Sequence, residues 1–87
     1  MNRVELRKTP PLSVAHHVDL SQLPIDSEAI IASIAAPPRL ASRLRELGFL
    51  PGESLRVLRN GSALIVQIGE TRLALRRRDA TSIRLAS

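Results

Sequence analysis

The fold is decided by residues 54–75, which read SLRVLRNGSALIVQIGETRLAL. Apolar and polar residues alternate in three short runs, and a period of two is typical of half-buried β-strands. Asn60-Gly61 is the strongest hairpin signal, because both central positions of a type I′ turn take a positive φ. Gly69-Glu70-Thr71 turns the chain again. The stretch therefore predicts a meander of three strands at 54–59, 64–68 and 72–75.

A short helix precedes this meander. Leu40, Leu44 and Leu47 recur at the i, i+4 and i+7 positions that form one apolar stripe of a helix. Pro38 fits the first turn of a helix, and Gly48 is the expected left-handed stop. The pattern predicts a helix over 39–47, and its stripe must pack on a larger element because so short a helix is marginal in water.

Two further strands are predicted on either side. Residues 29–34 are rich in isoleucine, and in residues 82–85 the alternation turns Ile83 and Leu85 inward, after a polar connection at 76–80. Small open sheets expose edges that aggregate, and closure into a barrel removes those edges. We therefore predict a mainly β fold: a five-stranded small barrel with one short helix between the first and second strands.

One small domain accounts for most of the 87 residues. Thr9-Pro10-Pro11 cannot lie inside a helix or a central strand, so we predict an N-terminal extension at 1–17 and a barrel domain at 18–87. Hydrophobic residues make up 44% of the chain, too many for a disordered polar polymer. Cysteine is absent, which excludes disulfides and thiolate metal sites.

Positive charge is concentrated in the second half of the chain. The net charge is +5 at pH 7, and residues 39–87 carry ten arginines against four acidic residues. This balance favours an acidic partner, whether nucleic acid, anionic lipid or protein. The single aromatic residue, Phe49, argues against the stacking platforms that bind single-stranded nucleic acid. Neither a targeting segment nor a membrane-spanning stretch is visible, so we expect a cytosolic protein without direct membrane insertion.

No catalytic site and no cofactor are predicted. A nucleophilic site needs a rigidly held base, and the two histidines, His16 and His17, lie in or beside the extension. A metal site is not expected either. On an extended segment His17 and Asp19 would point to the same side, but two ligands fall short of the four in a structural zinc site. His16, His17 and Asp19 are therefore only weak surface candidates for a metal.

Two segments are candidates for contact with a partner. Arg76-Arg77-Arg78 either binds phosphates or an acidic protein, or forms a solvated loop that discourages pairing between strand edges. Phe49 and Leu50 lie in a turn at 48–52, where they either fold under the helix as a corner or form an exposed hydrophobic anchor. Arg43 lies nearby, on the predicted helix.

A resemblance to a known family begins at residues 43–53, RLRELGFLPGE, and continues through LRVL at 55–58, LALR at 73–76 and ATSI at 80–83. These segments, in this order, resemble the FeoA family of small bacterial ferrous iron transport proteins. The resemblance covers about residues 18–87. It implies an SH3-like small barrel and a cytosolic accessory of an inner-membrane ferrous iron transporter with a GTP-binding domain, a FeoB-like GTPase. The chain departs from the family in its longer N-terminal stretch and its short hairpin turn at 60–63.

The leading hypothesis is a non-enzymatic cytosolic accessory or regulator of this transporter, recruited to the inner face of the membrane by contact with its GTP-binding part. The alternative is a small nucleic-acid-binding or iron-repressor-type SH3-like regulatory domain, since the barrel also resembles the C-terminal domain of iron-dependent repressors. The missing aromatics oppose nucleic acid as a partner. The sequence leaves the oligomeric state and the direction of the effect on transport open. The predicted contact residues are Arg43, Phe49, Leu50, Arg76, Arg77 and Arg78.

Overall fold

The computed structural model describes residues 18–86, so the predicted extension lies outside the described residues. The described part begins with a short 3-10 helix, Leu20–Gln22. No helix in this range combines the length and the apolar character that crossing a membrane requires. The elements that follow are β1 (Glu28–Ile34), α1 (Pro38–Leu47), β2 (Ser54–Asn60), β3 (Ala63–Ile68), β4 (Thr71–Arg76), α2 (Arg77–Ala80) and β5 (Ile83–Ala86).

The five strands form one antiparallel sheet of order β4-β3-β2-β1-β5. The predicted mainly β fold, with its meander and with α1 between the first two strands, is confirmed. Pairing is irregular between Ile31 and Ser33 of β1 and between Val57 and Arg59 of β2. Such bulges bend a strand and increase its twist, which helps a small sheet to curl over its own core.

The core lies on the inner face of the curled sheet and is aliphatic apart from one ring. Side chains alternate between buried and exposed along β2 and β5, as a period of two requires. Burial of each large apolar side chain contributes roughly 1.5–3 kcal/mol, so these residues dominate the stability. The largest fully buried side chains are Phe49, Leu20, Ile31, Leu55, Leu64, Ile83, Leu85, Val57 and Val66.

The helix α1 begins at Pro38 and ends at Gly48, whose φ is 118°. The Gly48 N–H donates to the carbonyl oxygens of Leu44 and Arg45, which satisfies two of the last carbonyls of the helix. The predicted apolar stripe is confirmed only in part. Leu44 is buried, but Leu47 is 45% exposed, because the helix packs on the core through the face that carries Leu44 and leaves its last turn beside a groove.

Replacing Gly48 with alanine is expected to lower the free energy of unfolding by about 1–2 kcal/mol, because a residue with a Cβ is strained at this positive φ. Lack of space is not the cause, since the nearest atom to a Cβ at this position would be Leu73 Cδ1 at 4.0 Å. Urea unfolding checks the value. Gly61→Ala is the control: Gly61 has no positive φ, so a change within about 0.5 kcal/mol is expected. Equal losses in both variants would contradict the prediction.

The connection between β2 and β3 corrects the predicted turn. A hairpin is present between Asn60 and Ala63, but the type I′ turn is wrong because neither Asn60 nor Gly61 has a positive φ. Tertiary hydrogen bonds hold Asn60 instead. Its side-chain Nδ2 donates to the carbonyl oxygens of Ser21 at 3.1 Å and Leu23 at 2.7 Å. The hairpin therefore takes its shape from the segment that precedes β1.

Candidate functional site

A groove lies between α1 and the edge strand β4, and we call it the α1–β4 groove. It encloses about 290 Å³. The four residues that α1 contributes are spaced at i, i+3, i+4 and i+7, which places them on one face of the helix. The lining residues are Leu40, Arg43, Leu44 and Leu47 from α1, Ala63 from β3, Ala74, Leu75 and Arg76 from β4, and Asp79 from α2.

The α1–β4 groove has an apolar floor, and its charged lining residues are two arginines, Arg43 and Arg76, against one acidic residue, Asp79. Leu44 is buried beneath it, whereas Leu47 is almost half exposed. Arg43 and Arg76 are exposed at the rim, and within residues 18–86 neither forms an ion pair with an acidic side chain. This surface is complementary to a partner that presents apolar side chains flanked by carboxylates. The apolar side chains would cover the floor and exclude water from it, and the arginines of the rim would attract the carboxylates.

A second groove of about 450 Å³ lies next to β4 on the outer face of the sheet, and we call it the outer-face groove. It repeats the chemistry of the first, since arginines flank apolar side chains. Ala74 lines both grooves, so β4 forms the ridge between them. The lining residues of the outer-face groove are Leu58, Arg59, Ile65, Arg72, Leu73 and Ala74.

The structure brings together two of the predicted contact residues. Arg43 and Arg76 both line the α1–β4 groove although they are far apart in the sequence. Leu50 is 43% exposed in the turn after α1, and Arg78 is exposed on α2, but neither lines the groove. These four residues remain proposed contacts.

Phe49 is withdrawn from the predicted contact residues. Its side chain is completely buried, and its N–H donates to the carbonyl oxygen of Leu44 at 3.0 Å, which fixes the backbone of Phe49 against the end of α1. The sequence left two alternatives open, a buried corner and an exposed anchor. In the structure Phe49 is the buried corner residue, folded under the helix. A side chain with no exposed surface cannot serve as an anchor for another protein.

Arg77 holds parts of the fold together. Its Nη2 donates to the carbonyl oxygen of Ser21 at 3.0 Å, and its Nη1 donates to the carbonyl oxygen of Gly61 at 3.2 Å and to the side chain of Asn60. The guanidinium thus ties α2 to the β2–β3 hairpin and to the 3-10 helix. Its donors are directed at backbone carbonyls rather than at a partner, so the structure gives Arg77 a role different from those of Arg76 and Arg78.

Of the three weak candidates for a metal, the structure describes only Asp19. Asp19 caps the 3-10 helix: its Oδ1 accepts from the N–H of Ser21 at 2.9 Å and from the Ser21 hydroxyl, while its own N–H donates to Gln22 Oε1 at 3.1 Å. His16 and His17 lie outside the described residues. Within 18–86 no group of three or more histidine, cysteine or acidic side chains is placed to hold a metal ion.

Sequence reasoning missed two apolar residues that line the α1–β4 groove, Leu47 and Ala74. A signal for Leu47 exists, since it follows Arg43 by four residues and so shares its helical face. The same spacing also fits the packed stripe, and the sequence alone does not separate the two. For Ala74 no local signal exists, because the meeting of α1 with β4 depends on tertiary packing.

Comparison with known families gives a match over the whole described range. The family model of the FeoA domain matches residues 18–86. No curated protein matches the sequence.

Two solved structures combine a similar fold with a related sequence. FeoA from Stenotrophomonas maltophilia, complexed with zinc and described as a prokaryotic SH3 domain protein, is 38% identical; the match covers 79% of this chain and 89% of that one, with a TM-score of 0.72. FeoA from Chlorobium tepidum is 34% identical, with coverage of 78% and 68% and a TM-score of 0.72. The predicted resemblance and the SH3-like fold are confirmed.

A manganese-dependent transcriptional repressor shares the fold as well, with a TM-score of 0.75 and 23% identity over 92% of this chain and 44% of that one. The crystal structure of T. acidophilum IdeR aligns with 90% of this chain and 36% of that one, with a TM-score of 0.74 and 19% identity. An identity this low establishes a common fold and nothing more.

Proposed function

The chain belongs to the FeoA family, and on that premise we propose that it is a non-enzymatic accessory of a bacterial ferrous iron transporter. It acts by contact with the cytosolic GTP-binding part of the transporter, a FeoB-like GTPase. In this proposal the protein lies in the cytosol and reaches the inner face of the membrane through its partner. The Stenotrophomonas maltophilia relative supports the proposal, since it is described as a candidate activating factor for bacterial ferrous iron transport.

The α1–β4 groove is the observation that carries this proposal. An interaction module without catalytic chemistry acts through the surface that it presents, and protein interfaces combine a desolvated apolar centre with a polar rim. Leu47 supplies exposed apolar surface, and Arg43 and Arg76 supply the charged rim. Leu50 and Arg78 are exposed elsewhere and are proposed as flanking contacts.

Reversing the two rim charges together, Arg43→Glu and Arg76→Glu, is expected to raise the Kd for the isolated GTP-binding domain at least tenfold. The reason is that two attractions to an acidic surface become repulsions, each of about 1 kcal/mol or more. Isothermal titration calorimetry of the full chain at fixed ionic strength measures this Kd.

The matched control reverses Arg39 and Arg45, which are exposed on α1 outside the groove. The double variant Arg39→Glu, Arg45→Glu carries the same change in net charge, so its Kd should stay within about threefold of the wild-type value. An equal weakening in both double variants would mean that net charge, and not the groove, governs binding.

A regulatory domain of the repressor type is the second candidate, favoured by the shared fold and by the net charge of +5. If this candidate acts by binding nucleic acid, the full chain should bind random duplex DNA, most strongly at low salt, where attraction to phosphates is greatest. A titration at low salt that shows no measurable affinity would exclude that activity and leave the transporter accessory as the function.

A further inference from the structure

The two edges of the sheet differ in how they are covered. At the β5 edge the Leu85 N–H donates to the carbonyl oxygen of Val18 at 2.9 Å, and Asp19 forms a bridge with Arg84. At the opposite edge β4 pairs with β3 and with no other described strand. An uncovered edge presents backbone groups to which another chain can add a strand.

The backbone groups on this open edge belong to alternate residues of β4. A two-residue connection, Gly69-Glu70, joins β3 to β4, so the flanking residues Ile68 and Thr71 form a hydrogen-bonded pair. The positive φ of 61° at Gly69 fits such a turn. Alternation along the strand then directs the N–H and C=O groups of residues 72 and 74 and the N–H of residue 76 away from β3. The C=O of Arg76 accepts the first hydrogen bond of α2, because Arg76 is the N-cap of that helix.

The side chains of these same residues lie on the exposed side of the sheet. Arg72, Ala74 and Arg76 are exposed, whereas Leu75 between them is buried. Ala74 is small, so the backbone at the centre of the edge is accessible from both grooves. A second arginine adds positive charge at each end of the β4 edge. Arg59 lines the outer-face groove together with Arg72, and Arg43 lines the α1–β4 groove together with Arg76.

Charge disfavours pairing between the β4 edges of two copies of this chain. In an antiparallel pair of two β4 strands centred on Ala74, Arg72 of each copy would lie opposite Arg76 of the other. Like charges directly opposite each other destabilise a sheet. Since Thr71–Arg76 contains no acidic residue, no other register gives complementary charges.

Recognition of a proline-rich segment, the type of ligand that SH3 domains bind, is also disfavoured. Such segments dock into grooves lined by aromatic side chains. The single aromatic residue of this chain, Phe49, is completely buried and lines neither groove.

We propose that the β4 edge binds an extended acidic segment of a protein partner by strand addition. The segment has the pattern acidic–x–apolar–x–acidic, which sets carboxylates opposite Arg72 and Arg76 and a small apolar side chain opposite Ala74. Backbone hydrogen bonds provide the affinity, and the spacing of the charges selects the sequence. The inference rests on the proposed function, because the segment is taken to belong to the cytosolic part of the transporter.

The test uses the full chain, labelled with nitrogen-15, and the synthetic peptide Gly-Glu-Thr-Val-Thr-Glu-Gly with blocked ends. Amide exchange followed by NMR should show at least fivefold slower exchange at Arg72, Ala74 and Arg76 with the peptide bound, and little change at Thr71, Leu73 and Leu75. A peptide with lysine in place of glutamate should bind at least fivefold more weakly. No slowing at the first three amides, or equal binding of the two peptides, would overturn the proposal.

Ala74→Pro removes the central N–H of the edge while leaving the charges in place, and proline is tolerated on edge strands where its nitrogen faces outward. It should weaken peptide binding at least tenfold, whereas Ala74→Thr, which keeps the N–H, should stay within about twofold. Arg72→Glu with Arg76→Glu provides a test that does not depend on folding of the proline variant. This double variant should prefer the lysine peptide, and a retained preference for glutamate would overturn the proposal.

The same reagents separate this inference from the proposed function. If the wild-type chain binds the GTP-binding domain but the acidic peptide leaves the β4 amides unprotected, strand addition is wrong and the accessory role stands. If the peptide protects those amides but the GTP-binding domain does not bind, the edge recognises acidic segments and the assigned partner is wrong.

Discussion

Replacing Phe49 with alanine is expected to lower the free energy of unfolding by about 3–5 kcal/mol, the loss typical of a large side chain removed from a core. The ring is completely buried, and Phe49 is the largest by volume of the fully buried side chains in the described residues. Domains of this kind are stabilised by only about 5–15 kcal/mol in total. The variant should therefore be close to unfolding under physiological conditions, and its binding to any partner should fall together with its structure.

Leu50→Ala is the control, because Leu50 is the next residue in the same turn and is 43% exposed. Its loss of stability should stay below about 1 kcal/mol, since surface substitutions have small effects. Urea unfolding followed by circular dichroism compares the two variants. An unchanged midpoint for Phe49→Ala would mean that the ring is not part of the core. Binding experiments on the contact surface should vary Leu50 alone, because a double variant at both positions reports mainly the loss of the fold.

The strands and the helix were predictable because each has a local signal. A period of two separates buried from exposed residues in β2, where Leu55 and Val57 are buried and Arg56 is exposed. Gly48 marks the end of α1 for an equally local reason, the positive φ that a helix stop often takes. Signals of this kind need only the neighbouring residues, and the structure has these elements within one or two residues of the predicted bounds.

The turn chemistry at Asn60 was not predictable in the same way. Its local sequence favours a type I′ turn, but the side-chain amide donates to carbonyl oxygens of the chain before β1, which lie far away in sequence. Tertiary hydrogen bonds therefore override the local preference. The two neighbours Phe49 and Leu50 show the same limit, because both are large and apolar, and only the packing of α1 decides which one is buried.

The candidate site was predictable in its charge and not in its shape. The excess of arginine after residue 38 indicated an acidic partner, and Arg43 and Arg76 lie in one groove. The three consecutive arginines, however, differ in role. Arg76 ends the edge strand and lines the groove, whereas Arg77 donates to backbone carbonyls of the hairpin and of the 3-10 helix. Which of three equal side chains reaches a carbonyl depends on where α2 begins relative to the 3-10 helix.

Replacing Asn60 with alanine is expected to lower the free energy of unfolding by about 2 kcal/mol. The substitution leaves the carbonyl oxygen of Leu23 without its side-chain donor and removes one of the two side-chain donors to the carbonyl oxygen of Ser21, the other being Arg77. It also removes an acceptor of the Arg77 guanidinium. Part-buried polar groups that lose a partner cost about 1–3 kcal/mol. The 3-10 helix should loosen from the hairpin, so amide exchange there should become faster, while the β1–β5 pairing should change little.

A double-mutant cycle with Arg77 decides whether these contacts act as one network. Arg77→Ala should cost about 1 kcal/mol, less than Asn60→Ala, because the arginine side chain is exposed. The double variant should lose less than the sum of the single losses, since both changes break the bond between the two side chains. Arg78→Ala, the neighbouring arginine on α2, should stay within about 0.5 kcal/mol. Strictly additive losses would contradict the prediction and show that Asn60 and Arg77 stabilise the fold independently, Arg77 through the carbonyl oxygens of Ser21 and Gly61.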